Sequence, residues 1–168
     1  MLAEHARYSA FAHQTLAQIK LDQGDPAEAL ELLERGFLFV LEVGSRFEQG
    51  LFRAEQARAL VALGRLEEAE ESARRALELF EGGSQGDASR VRAVIGEIHE
   101  RRGEIDEAID AYREAAETAP QTARYKAEAY AKLAELLKQA GRSDEAVDVL
   151  TQAPITQGRS LTKVDSAS

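Results

Sequence analysis

The sequence predicts an all-α fold, a stack of about four helix hairpins, and three observations predict it. The chain is rich in the helix formers Ala, Leu, Glu and Arg, and aromatic residues make up only 6% of its 168 positions. β-Branched residues rarely cluster, so helix is favoured nearly everywhere. Above all, the chain repeats itself. Four segments align on a glycine followed by an acidic cluster and an alanine: Gly24-Asp-Pro-Ala-Glu-Ala29, Gly64-Arg-Leu-Glu-Glu-Ala69, Gly103-Glu-Ile-Asp-Glu-Ala108 and Gly141-Arg-Ser-Asp-Glu-Ala146. Successive glycines are 40, 39 and 38 residues apart, a period that belongs to stacked two-helix units.

The first unit is expected over about residues 3–43. Gly24 closes its first helix, since a residue just past a helix end often takes the left-handed conformation that costs glycine nothing. Asp25 is the expected N-cap of the second helix, Pro26 its first helical residue, and Glu28 the partner in a capping box. Ala29, Leu33 and Gly36 form that helix's inward stripe. Gly44 and Gly50, flanking residues 45–49, mark the connection to a second unit at about 46–83, whose second helix carries Ala69, Ala73 and Ala76. The run Glu81-Gly-Gly-Ser-Gln-Gly86 connects to the third unit. It follows a helix and carries no lysine, so it reads as a flexible connection and not as a phosphate-binding loop.

The third unit, at about 87–119, repeats the pattern with Gly103, Ala108, Tyr112 and Ala115. In the fourth, at about 120–153, Tyr130, Leu133, Ala134 and Leu137 stand at i, i+3, i+4 and i+7, one apolar stripe of a helix. An unbroken helical run is expected there from about Pro120 to Ala140, closed by Gly141, with Ala146, Leu150 and Ala153 on the helix that follows. Across each hairpin small residues face one another: Ala17, Ala57, Gly96 and Ala134 on the first helix, Ala29, Ala69, Ala108 and Ala146 on the second. Such pairs let helix axes approach to the low end of roughly 8–10 Å. Residues 154–168 have no helical period and are expected to form a mobile or irregular tail.

These residues resemble the tetratricopeptide repeat family. In the third unit Ile95, Gly96, Gly103, Ala108, Tyr112, Ala115 and Pro120 stand at family positions, and in the fourth Tyr130, Leu133, Ala134, Leu137, Gly141, Ala146 and Ala153 do. The resemblance covers about residues 3–153 and implies a right-handed superhelical solenoid of eight antiparallel helices. The chain departs from the family where His13, Arg53 and Arg92 replace an aromatic on the first helix, where Gln56 replaces Leu, and in a repeat longer than 34 residues. Longer helices are expected to absorb the difference. Arrays with repeats near 40 residues are familiar in bacterial regulatory proteins, beside DNA-binding or nucleotide-binding domains, which this chain lacks.

Composition narrows the function. A formal charge of −9 repels phosphate backbones and anionic lipid surfaces, which disfavours direct nucleic acid or membrane binding. No apolar run is long enough to span a bilayer, and the start has no secretory pattern. With no cysteine there is no disulfide or thiolate chemistry, and a cytoplasmic location is expected. Arg outnumbers Lys about three to one, a bias of GC-rich bacterial genomes. His5 and His13 lie roughly 12 Å apart along one helix, too far to share a metal. His99 is expected as a packed imidazole. Carboxylate pairs such as Glu67-Glu68 and Glu70-Glu71, close to Arg74 and Arg75, read as solvated helix surface. No catalytic, metal or cofactor site is expected.

What remains is a contact surface. The resemblance places the concave wall on the first helix of each unit, at Phe11, Gln14 and Gln18, Arg58, Arg90, Glu97 and Arg101, and Lys132 and Glu135. Chaperone-tail binding by the family uses a lysine and asparagine clamp, and this chain contains no asparagine. Arg90, Glu97, Arg101 and Arg58 either pair with acidic or amidated groups of a peptide or neutralise one another. The last helix leaves Val147, Val149 and Leu150 to be covered by self-association or by docking of Ile155, Leu161 and Val164 from the tail. The sequence thus points to a protein or peptide partner in the groove, with a homodimer through this open end as the alternative.

Overall fold

The same turn builds every hairpin. Gly24, Gly64, Gly103 and Gly141 all take left-handed backbone, with φ of 78, 74, 78 and 76°. At each, the glycine N–H donates to the carbonyl three residues back and the next N–H to the carbonyl five back, as in Gly103 to Glu100 at 3.0 Å and Glu104 to His99 at 2.9 Å. This doubly bonded reversal satisfies carbonyls that a helix end otherwise leaves open.

The computed structural model describes residues 2–120 and 124–153, and the predicted tail at 154–168 lies outside them. Among the described residues there are eight helices and no strand: α1 (Leu2–Asp22), α2 (Pro26–Val43), α3 (Arg46–Ala62), α4 (Leu66–Phe80), α5 (Gln85–Arg102), α6 (Ile105–Thr118), α7 (Arg124–Gln139) and α8 (Ser143–Gln152). Odd and even neighbours pair as hairpins. Each hairpin then stacks on the next through α2 with α3, α4 with α5 and α6 with α7. The chain is an all-α helical-repeat solenoid.

Several boundaries differ from the sequence reading. Asp25 caps α2 as expected, accepting from the Glu28 N–H at 3.2 Å with Pro26 at the first position. The Glu28 carboxylate, however, turns to Lys20 at 2.6 Å and closes no box. The capping box sits instead at α3, where Ser45 and Glu48 bond reciprocally. The first connection is only Gly44 and Ser45, because Gly50 lies inside α3; a Cβ there would stand 2.6 Å from the Phe80 ring. Gly50 admits an aromatic and marks no loop. Pro120 itself is not helical and α7 is described over Arg124–Gln139, residues 121–123 lying outside the described residues; the long helices among the described residues are α1, with 21 residues, and α2 and α5, with 18 each.

Packing follows the small residues. Ala17, Ala29, Ala57, Ala69 and Ala108 are fully buried, and Gly96 lets the Tyr112 ring of α6 lie against the α5 backbone. Where the first helices lack an aromatic, the second helix supplies one: the His13 ring lies 5.8 Å from that of Phe39, and the Arg53 guanidinium stacks 4.3 Å over Phe37. The third such position, Arg92, turns out to Glu114 at 3.2 Å. At the far end, Ala146 is the buried residue of α8.

Candidate functional site

The first helices of hairpins two, three and four lie side by side and enclose a cavity of about 650 Å³. The repeat register explains why it is a trough. Ala54, Ala93 and Ala131 occupy equivalent positions on α3, α5 and α7, and all three line it. Three small side chains in a row leave space that a larger residue would fill. Leu51, Val91, Val94 and Ala129 extend the apolar lining, and Phe80 and Tyr112 reach in from α4 and α6.

Charge surrounds this lining, and it is largely spoken for. Glu55 is only 3% exposed and accepts from Arg58 Nη1 at 2.7 Å and from Arg90 Nη2 at 3.4 Å. Arg90 also stands 4.0 Å from Asp87. Lys132 Nζ lies 3.1 Å from Glu100 and 3.6 Å from Glu135, and the hydrogen bond it donates to Glu100 holds its pKa above the usual lysine value. Tyr112 donates its hydroxyl to the same Glu100 at 3.2 Å; burial first, then the Glu100 charge, push its pKa well above the ordinary phenol range. It stays a neutral donor. Tyr125 donates to the Gly86 carbonyl at 2.8 Å, fixing the groove's other end.

Of the sequence-derived wall, the structure brings together Arg58, Arg90, Glu97, Lys132 and Glu135. Phe11, Gln14 and Gln18 continue the same register on α1 but lie beyond the cavity. Arg101 also lies outside: its guanidinium grips Glu97 at 2.9 Å and the Val61 carbonyl at 3.0 Å, tying α5 to α3. At the open end Val147 and Leu150 are exposed, whereas Val149 turns inward and packs against two core clusters. Three residues make more than one half-turn of a helix, so they cannot all face outward. His99 is mostly buried and bonds Glu104 through Nδ1 at 2.6 Å, across its own turn. Among the described residues no group of His, Asp or Glu is placed to hold a metal.

Sequence reasoning missed Tyr112 and Tyr125 as lining residues. The signal for Tyr112 was Gly96 on the facing helix α5: a missing side chain there implies that something large approaches. For Tyr125 the sequence carried no comparable sign.

Family models of the tetratricopeptide repeat match residues 10–35, 54–123 and 101–165. The chain belongs to the tetratricopeptide repeat family. Among solved structures, the fold is similar to BtubC (BKLC) from P. vanneervenii, at 20% identity and a TM-score of 0.74, over 95% of this chain and 68% of that one. It is similar to MamA, at 22% identity and 0.65, over 86% and 75%. A putative kinesin light chain with nearly identical TPR-like repeats from Podosopora anserina matches at 21% and 0.69, over 84% and 72%. No curated protein sequence matches. Tetratricopeptide repeats form protein-interaction modules, and this chain is one. No helix among its described residues is long and apolar enough to cross a membrane.

Proposed function

We propose that the trough over α3, α5 and α7 receives a segment of a partner protein, seating an apolar side chain against Ala54, Ala93 and Val94 while polar groups meet the rim. The observation that carries this is the cavity itself, apolar within and ringed by charges that already have partners in the chain. Because Arg58 and Arg90 are engaged by the buried Glu55, an acidic peptide would have to compete with a carboxylate already in place. Selection therefore rests on shape and an apolar anchor more than on the arginines. Stacked helices hold the wall rigid, so binding costs little ordering on this side.

Peptides selected from a random displayed library on the wild-type protein should carry an apolar anchor and be lost on Ala131→Trp, a variant that fills the trough from an exposed position. Peptides that bind both proteins equally would overturn the assignment.

Within this reading the module is the regulatory or sensing part of a larger cytoplasmic bacterial regulator of transcription type, supported by the 38–40-residue repeat. Ligand seating would bias the packing angle between hairpins and so reposition an attached domain. A DNA-binding domain encoded in the same reading frame is the expected finding. A second reading, self-assembly through α8, is favoured by exposed Val147 and Leu150, whose repeat equivalents Ile109 and Tyr112 are buried. Val147→Glu with Leu150→Glu should then abolish self-association.

A further inference from the structure

The outward side of α1 carries large apolar side chains that no described part of the chain covers. Tyr8, Phe11, Leu16 and Ile19 are 74, 68, 48 and 45% exposed. At about 100° per residue they form, with Ala12 and Thr15, a stripe opposite the buried Ala6, Ala10 and Ala17. Its centre lies roughly a third of a turn from Gln14 and Gln18. Tyr8 and Phe11, whose repeat equivalents Asp87, Tyr125, Leu51 and Arg90 line the cavity, form the edge it shares with the groove face, and Leu16 and Ile19 face away from the groove.

The repeat register says what kind of object such a face takes. Shifted by the repeat spacings, Ala12 becomes Phe52, Val91 and Ala129, and Ile19 becomes Ala59, Ile98 and Leu136. All six are 2% exposed or less. On α3, α5 and α7 that side is closed by the helix of the hairpin before. At Ala12 and Ile19 the outer face of α1 is therefore a helix-receiving surface, repeated from hairpins where it is filled, and Tyr8 and Phe11, whose equivalents Asp87 and Arg90 are not buried, flank it.

We propose that it receives the α1 of a second copy, antiparallel, about a two-fold axis. The stripe is self-complementary. Running two α1 helices in opposite directions sets Tyr8 against Ile19 of the second copy, Phe11 against Leu16 and Ala12 against Thr15, all centred between His13 and Gln14. At the edges His5 falls opposite Asp22, both exposed, which is a favourable pairing. A two-fold contact requires this reciprocity, residue i meeting j while j meets i. The size is adequate as well. With roughly 200 Å² per aromatic side chain, Tyr8 and Phe11 alone leave about 280 Å² open on each copy. The whole stripe closes on the order of 600 Å² per copy, the lower edge of specific interfaces and that of a reversible dimer. Among the described residues the α8 end offers the smaller apolar surface, Val147 and Leu150 flanked by Asp144 and Asp148.

The test is sedimentation equilibrium of the whole chain from micromolar to near-millimolar concentration. The wild type should pass from monomer to dimer. Tyr8→Lys and Ile19→Glu should each be monomeric with unchanged helicity, because both positions are exposed. Mixing the two variants should restore a dimer, since one end of the heterodimer then pairs the introduced cation with the introduced anion while the other keeps Ile19 against Tyr8. Val147→Glu should leave dimerisation intact. A wild type monomeric at every concentration would overturn the proposal, as would a mixture that stays monomeric. Assemblies larger than a dimer that Val147→Glu dissolves would show head-to-tail stacking in its place.

Discussion

Gly96→Ala should change sign with its background. Alanine in place of glycine in a helix interior ordinarily gains about 1 kcal/mol. At this position a Cβ would stand 2.8, 2.9 and 2.9 Å from Cδ2, Cε2 and Cγ of Tyr112. Carbon atoms rest at about 3.5–4.0 Å, so the base of the ring has to retreat by most of an ångström. It has little room, because Tyr112 is 5% exposed and is held at its hydroxyl by Glu100. Overpacking of this kind costs roughly 1–3 kcal/mol. The net expectation is a loss of about 1 kcal/mol for Gly96→Ala in the wild type. In a Tyr112→Ala background, itself about 3–5 kcal/mol less stable, the ring is gone and the propensity gain of about 1 kcal/mol should emerge. The coupling between the two substitutions is then about 2 kcal/mol. Urea denaturation of the four proteins followed by circular dichroism measures it. The reasoning fails if Gly96→Ala has the same sign in both backgrounds.

Glu48→Gln keeps an acceptor for the Ser45 N–H but loses the charge, and should weaken the N-terminus of α3 by roughly 0.3–1 kcal/mol at neutral pH, read from the thermal midpoint. The Ser45 backbone N–H holds the Glu48 carboxyl below its usual pKa. A lowered folded-state pKa gives stability that is present above the ordinary carboxylate range and lost as pH falls through the lowered value, so wild type and variant should converge in acid. Glu70 is likewise held low, first by the hydrogen bond from Arg102 at 2.5 Å, which joins α5 to α4. A Glu70→Ala, Arg102→Ala cycle should show coupling of about 1 kcal/mol that shrinks below the carboxylate range. Gly103→Ala has open space around the new methyl but a φ of 78°, so it should cost roughly 1–2 kcal/mol by thermal denaturation.

The hairpins were legible because their signals are local. A glycine at each turn, acidic residues just after it and alanines at helical spacing each depend on neighbours within one or two turns of chain. The groove was half legible: the family resemblance maps Arg58, Arg90, Glu97, Lys132 and Glu135 onto one wall, and helical spacing sets those of each helix on a common face. What could not be read was how much of that charge is consumed inside the protein. Glu55 becomes the shared partner of two arginines only because α3 and α5 meet, and nothing in its own segment marks it as buried. Arg101 is engaged for a similar reason, since its acceptor, the Val61 carbonyl, lies 40 residues away. Gly44 marks a connection as expected, and Gly50 misled in the opposite direction. The same residue type ends one helix and admits an aromatic ring into the next, and sequence does not separate these roles.

The shortness of α8 has a dynamic consequence. With Ala146 as its buried residue, unwinding this helix uncovers little apolar surface, so it opens at a small fraction of the free energy that unfolds the whole chain. Because each hairpin leans only on its neighbours, that opening need not spread. Amide hydrogen exchange should consequently be graded along the array, fastest in α8 and slowest around α3 to α6, where fully buried alanines and Ile98 and Ile109 concentrate. A chain with such a gradient melts from one end inward, and its last hairpin acts as a thermal fuse for the rest.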